Sequence, residues 1–143
     1  MPKSLPLKIF LQTFKYVPRV AVSLIFKNGK GEVLLARRAI PPGKGSWHMP
    51  GSFILKGESI GQCVGRVAKN ELGLKIKLSD AKLLGAFDDL KKDPRGHVID
   101  LVYGLTITAK PKLTSGNKEL EFFSELPRNI GFNHETTLKK LGY

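Results

Sequence analysis

Residues 51–74 read GSFILKGESIGQCVGRVAKNELGL, and the fold is decided in this stretch. From Ser59 to Leu72 the apolar residues Ile60, Val64, Ala68 and Leu72 stand four apart, so they stack along one helix face that must pack on a sheet. Gly73 follows in the usual C-terminal position for stopping a helix. Glu58 stands at the N-terminus, where exposed N–H groups favour a carboxylate, and Arg66 lies two turns on. Positions 67, 70 and 71 share one face, and three carboxylates there would hold Mg2+ against a phosphate chain. This chain places Val67, Asn70 and Glu71 on them. A lone carboxylate binds a divalent cation weakly unless backbone or remote ligands assist it.

Upstream, Leu7, Phe10, Leu11, Phe14 and Val17 recur at helical spacing, which predicts a short amphipathic helix stopped by Pro18. Val20–Phe26 and Glu32–Ala36 are β-rich runs joined by Asn28-Gly29-Lys30-Gly31, a hairpin signal because Asn and Gly tolerate positive φ. An extended piece at Trp47–Pro50 precedes the glycine turn. Downstream, Leu83–Phe87 and Val98–Ile107 read as strands around a polar loop at 88–96, and a strand near Phe122 leads to a helix starting near Asn133. Strands and helices do not alternate regularly. The expected class is therefore α/β (α+β) with a mixed central sheet flanked by helices, in one domain spanning 1–143.

The formal charge is +12, with nine Lys or Arg against the single acid Glu32 in residues 1–44, leaving +4 on the rest. A basic first third suits polyanionic partners, or equally a solvated surface. Nucleic acid stays open as a partner on charge alone, with no recognisable motif to support it. The single cysteine, Cys63, excludes an internal disulfide and sits in the helical pattern as a buried structural thiol. Neither a signal-peptide core nor a run of some 18 apolar residues occurs, so a soluble cytoplasmic protein without membrane association is expected, and a homodimer is the commonest assembly of such chains.

The segment resembles the Nudix box, G-x5-E-x7-R-E-U-x-E-E-x-G-U, where U is a bulky aliphatic. The first glycine of the pattern falls on Ser52, the first glutamate on Glu58 and the arginine on Arg66. The next glutamate becomes Val67, the aliphatic Ala68, the acidic pair Asn70 and Glu71, and the ending Gly73-Leu74. Gly51 matches the glycine just before the box, whose carbonyl commonly reaches the metal in that family. The likeness covers most of the chain. Val33–Arg38 is similar to the family's second-strand segment and Trp47-His48-Met49-Pro50-Gly51 to its W-x-x-P-G approach to the box. Asp93–Val98, reading DPRGHV, is similar to the ADP-ribose-hydrolysing branch, as is Phe132-Asn133-His134.

The resemblance implies a Nudix fold, an α/β/α sandwich, and a hydrolase acting on a nucleoside diphosphate linked to another moiety, a nucleotide sugar or an ADP-ribose-like compound. Mg2+ is the implied cofactor, with Mn2+ as the alternative ion, held by the Gly51 carbonyl, Glu71 and Glu119, the last in a region where relatives often add a ligand. Gly51, Glu58, Arg66 and Gly73 form the implied structural frame, and Glu58 and Arg66 read as a salt bridge bracing the turn, with direct catalysis as the alternative. The box pattern is also similar to that of GDP-mannose mannosyl hydrolases, which lack the same two acids. Their histidine base falls near Asn117, which is no base, and their loop arginine on Pro41, so GDP-mannose is not the expected substrate. A competing reading keeps the fold as a catalytically inactive nucleotide- or RNA-binding module.

Among the histidines, His48 adjoins the turn and is the best placed catalytic base beside Glu71. His97 and His134 open a strand and a helix, where capping or packing is the commoner task. Arg37 and Arg38 end a strand toward the pocket in the family, so one is expected on substrate phosphate and the other in solvent, because strand neighbours alternate. Asp88, Asp89 and Asp93 lie in a loop where they read either as spare ligands or as a solvated acidic turn. Trp47 and Phe87 read as core rings or as stacking platforms.

Overall fold

The computed structural model describes residues 2–114 and 116–143. A mixed seven-stranded sheet is built around β1 (Arg19–Lys27). This strand runs parallel to β6 (Val98–Thr106) over its whole length and antiparallel to β4 (Gly51–Phe53). On the same edge as β4, opposite β6, it meets β2 (Val33–Arg38) beside the hairpin turn, and β2 in turn carries β3 (Trp47–His48) and β7 (Asn117–Phe123). Strand β5 (Lys82–Asp89) closes the far edge against β6. The strand from Lys82 includes Asp88 and Asp89, which the sequence assigned to the following loop.

The hairpin turn forms as its residues dictate. The Asn28 side-chain oxygen accepts from the Lys30 and Glu32 N–H groups at 3.0 Å each, and Gly31 adopts φ of 78°.

Alternation along β1 divides the core between two faces. Val22, Leu24 and Phe26 pack with Cys63, Val64, Val67, Ala68 and Leu72 of helix α2 (Ile60–Leu72), while Ile25 packs with Leu35, Trp47, Met49 and Leu138 of the C-terminal helix α3 (His134–Lys140). Helices on both faces of a mixed sheet are the expected α/β/α sandwich. Helix α2 starts in a capping box, Ser59 with Gln62, and ends at Gly73 in the left-handed conformation. Its buried face is broader than the four-residue repeat suggested: Cys63 and Val67 join it, whereas Ile60 at one end is 37% exposed.

The N-terminal helix α1 (Leu7–Thr13) packs only partly. Phe10 and Phe14 meet the ring of Phe53 edge to face at 5.2 and 5.6 Å, but Leu7, Leu11 and Val17 stay exposed. No helix among the described residues is long and apolar enough to cross a membrane.

Candidate active site

Gly51 and the chain before it shape the centre of the site. A Cβ at Gly51 would lie 2.7 Å from the Val22 carbonyl and 2.9 Å from Ser23 Oγ, so the glycine permits a backbone approach that no other residue allows. Ladder bonds between β1 and this segment use Pro50 and Ile54, which places Gly51, opposite Ser23, at a non-hydrogen-bonded position. Its carbonyl is therefore directed away from β1 and is not consumed by the ladder.

Glu58 and Arg66 form the expected brace. The Arg66 guanidinium donates to both Glu58 oxygens at 2.7 and 3.0 Å, and also to Ser52 Oγ and the Phe53 carbonyl, while Glu58 accepts from the Leu55 N–H. Arg66 holds the Glu58 carboxyl below its ordinary value, and that pairing raises Arg66 in turn. Both side chains are spent on the turn. Cys63 is buried beside them, and burial pushes its thiol up to about 12, which suits packing and not nucleophilic chemistry.

The three positions of the helix face have separate fates. Val67 is 1% exposed and belongs to the core, Asn70 is exposed, and Glu71 is half-buried at the rim. Glu71 Oε2 accepts from Asn117 Nδ2 at 2.6 Å. Asn117 Oδ1 lies 3.1 Å from His48 Nε2, and His48 Nδ1 lies 2.8 Å from the Met49 carbonyl. Both imidazole nitrogens thus face acceptors, and a neutral ring can satisfy only one of them. Burial disfavours the charged ring and lowers its pKa, while the bonds to Met49 and Asn117 oppose that shift. His48, expected as a base, has both nitrogens engaged within the fold and reaches Glu71 through Asn117.

Glu119, expected as a third metal ligand, is instead joined to Arg37 at 2.9 Å, and the two are cross-strand partners. The bulge in that ladder sets Asn117 opposite Arg38, so Asn117 and Glu119 fall on opposite faces of β7. Among the described residues, no group of three or more His, Cys, Asp or Glu side chains is placed to hold a metal ion. By donor chemistry the set offers one carboxylate and one carbonyl outside the ladder, and Mg2+ commonly takes only one or two carboxylates beside phosphates and water. Glu71 and the Gly51 carbonyl are the groups suited to it.

Arg37 and Arg38 divide as strand alternation requires. Arg37 is taken up by Glu119 and the Gly45 carbonyl over the ring of Trp47. Arg38 lines a cavity of about 220 Å3 and is tied back to the carbonyls of Pro41 and Pro42. Its guanidinium lies 5.4 Å from the Phe132 ring, and Arg95 lies 5.5 Å from the same ring and 5.0 Å from Phe53, so two cations and two rings stack across the cavity mouth. Asp93 fixes Arg95 through two side-chain bonds at 3.0 and 2.8 Å, and Asp89 accepts from the N–H groups of Lys91, Lys92 and Asp93. Both acids are buried parts of the loop's construction. Asp88 is exposed, 3.9 Å from His97. Trp47 packs in the core on Phe123, whereas Phe87 lines the cavity.

The cavity floor holds residues to which sequence reasoning gave no role there. Ser23 Oγ–H donates to Asp100 Oδ2 at 2.9 Å, and His134 Nε2 lies 3.8 Å from the same oxygen. The Met49 N–H donates to His134 Nδ1, which fixes that ring in the tautomer carrying its proton on Nε2. Burial holds His134 down to about 3, so it is neutral, and lifts Asp100 to about 7. An acid flanked by Ile99 and Leu101 was the available signal, since a carboxylate inside an apolar strand requires a partner or a purpose.

Comparison with known proteins agrees with this architecture. The NUDIX domain family matches residues 17–132, and the chain belongs to that family. A curated relative from Methanocaldococcus jannaschii, an ADP-ribose pyrophosphatase, is 40% identical over 126 residues, covering 85% of this chain and 72% of the relative. The low-salt glycan biosynthesis protein Agl8 of Haloferax volcanii is 30% identical over 105 residues, covering 73% of this chain and 65% of its own length. Among solved structures, a MutT/nudix family protein from Enterococcus faecalis superimposes with a TM-score of 0.78 at 23% identity, over 96% of this chain and 68% of that one. The NUDIX domain of Shewanella oneidensis NrtR, complexed with ADP ribose, gives 0.72 at 17% identity, over 95% and 96%. Family and relatives together define the chain as a Nudix-type hydrolase.

Proposed function

We propose that this chain hydrolyses the diphosphate of a nucleoside diphosphate linked to a sugar, of the ADP-ribose or nucleotide-sugar kind, with Mg2+ or Mn2+ entering alongside the phosphates. The observation that carries the reading is the polarity of the site: Arg38 and Arg95 stand at the cavity mouth, Glu71 is linked through Asn117 to the cavity-lining His48, and a nearly neutral floor lies beneath aromatic walls. The name of the M. jannaschii relative supports the same substrate class.

Each residue has a part derived from its contacts. Arg38 and Arg95 attract and orient the diphosphate, since guanidinium groups match phosphate oxygens. Asn117, held by His48, fixes the Glu71 carboxylate, leaving its second oxygen and the Gly51 carbonyl to hold the cation. When bound, the cation supplies neutralisation of charge on the reacting phosphates. The stacked rings exclude water from the rest of the cavity. Incubation with Mg2+ and a panel of ADP-ribose, nucleotide sugars and nucleoside triphosphates, followed by phosphorus NMR, tests the reading. Turnover of a nucleoside diphosphate sugar is expected. No turnover of any compound, with RNA or nucleotide binding that weakens in salt, would replace it with the binding-module reading.

A further inference from the structure

Helix α1 buries little of its apolar surface, yet the part it does bury lies behind the cavity mouth. Leu7 and Leu11 stay exposed, while Phe10 and Phe14, the residue that closes the helix, turn inward against Phe53. The Phe53 ring in turn carries the Arg95 guanidinium at 5.0 Å. Phe53 therefore stands between α1 and an arginine to which the proposed function assigns the diphosphate. Arg19 joins the same stack from β1, 5.2 Å from the Phe10 ring and 5.9 Å from that of Phe53. Its Nη1 donates to Thr13 Oγ1 at 2.6 Å, which ties the end of α1 to the sheet.

A second contact reaches the residue next to Arg95. Gly96 has φ of 148°, and a Cβ there would lie 3.0 Å from both Cβ and Cδ1 of Phe14 and 3.4 Å from its Cγ, so Phe14 is seated on the Gly96 backbone. The Asp93 carboxylate does not replace this contact. Asp93 and Arg95 belong to one loop, so their bonds set the guanidinium relative to the loop and not relative to the cavity. That loop is rooted at β5 by Asp89, which accepts from the Asp93 N–H, and at β6 by the Arg19 N–H on the His97 carbonyl at 3.0 Å. Between these roots Phe14 bears on both Gly96 and Phe53. We infer that Phe14 is a positioning residue that holds Arg95 at the cavity mouth in the pose that meets phosphate, an inference that rests on the phosphate role proposed for Arg95. Docking of α1 and binding of the diphosphate are then coupled, and the coupling is reciprocal: a bound diphosphate also secures α1.

The test is an NMR titration of the full chain with inorganic pyrophosphate, without added metal, that also follows the Arg95 side-chain Nε–H resonance. This proton is bonded to Asp93 and lies by two aromatic rings, so its shift reports where the guanidinium stands. Phe14→Ala is expected to move the resonance in the free protein and to weaken pyrophosphate binding roughly fivefold. Phe14→Leu keeps Cβ, Cγ and Cδ1, the atoms that touch Gly96, and should restore most of the affinity. In an Arg95→Gln background, which retains a donor for Asp93, Phe14→Ala should change the affinity by no more than about twofold, because a residue acting through Arg95 has nothing left to act on. A loss of the full size in that background marks a general structural effect and overturns the inference. So does an unmoved Arg95 resonance, or a Phe14→Leu protein that binds as weakly as Phe14→Ala. Should Phe14→Ala not fold, amide hydrogen exchange of α1 in wild type is followed instead: saturating pyrophosphate slows it if docking and binding are coupled, and unchanged exchange overturns the inference. A wild type that binds no pyrophosphate overturns this inference and the phosphate role of Arg95 together, whereas intact binding with an unmoved resonance overturns this inference alone. Absence of turnover in the phosphorus NMR assay leaves every one of these readouts intact.

Discussion

Asn117 Nδ2 donates to Glu71 Oε2 at 2.6 Å, and this bond ties the single acid left on the box helix to the far edge of the sheet. A family site with three clustered acids orients them against one another and a metal. Here the orientation comes from an amide whose other end meets His48, itself anchored on the Met49 carbonyl.

Asn117→Leu removes that bond without adding charge. Turnover of the preferred substrate is expected to drop by about tenfold, with a raised Mg2+ requirement, because Glu71 loses its fixed rotamer. The check is a metal titration of rate, with circular dichroism showing an unchanged fold.

Restoring the family's acids one at a time should give opposite results. Val67 is part of the core, so Val67→Glu buries an unpaired carboxylate and costs on the order of 3–5 kcal/mol, read as a fall in the denaturant midpoint. Asn70 is exposed, so Asn70→Glu is expected to fold normally and to tighten the apparent Mg2+ affinity by placing a second carboxylate one helix position before Glu71.

Glu58→Gln breaks a pair in which the glutamate side chain is 5% exposed and the arginine 27%. With allowance for that partial exposure, a loss of roughly 2 kcal/mol is expected. Because Arg66 lowers the Glu58 pKa, the pair's contribution is present above about pH 4.5 and vanishes as pH falls through the lowered value. Thermal melts of wild type and variant should therefore converge in acid.

Asp100 carries the reverse sign. Its pKa rises from an ordinary 3.8 to about 7 on folding, so between those values the folded chain keeps a proton that the unfolded chain has released. Stability attributable to this group falls as pH rises through that window. Asp100→Asn should accordingly gain on wild type from about pH 4 to about pH 7, by several degrees in the melting midpoint. His134, held to about 3, makes stability fall in acid, and comparing both proteins at each pH removes that contribution.

Much of the fold was legible because its signals are local: the Asn28–Gly31 turn, the four-residue repeat of α2 and the stop at Gly73 each require only neighbouring residues. The brace between Glu58 and Arg66 was legible for the same reason. What lay beyond the sequence depends on register. A bulge in β7 separates Asn117 from Glu119 onto opposite faces, so the residue expected to bind metal pairs with Arg37 and the residue set aside as no base reaches Glu71. The parallel pairing of β1 with β6 brings Ser23 to Asp100 across 77 positions of sequence, a contact that no spacing rule reveals. Helical periodicity also overstated α1, whose Leu7 and Leu11 remain exposed.

The central claim is that one carboxylate, held by an amide, suffices for metal-assisted hydrolysis of a nucleoside diphosphate sugar. The most direct measurement is the rate of ADP-ribose and nucleotide-sugar hydrolysis with Mg2+ in wild type and in Glu71→Gln, which keeps the shape of the side chain and removes its charge. Turnover in wild type that falls by roughly a hundredfold or more in the variant is the expected result. Equal rates in the two proteins, or no turnover of any nucleoside diphosphate sugar by wild type, would contradict it.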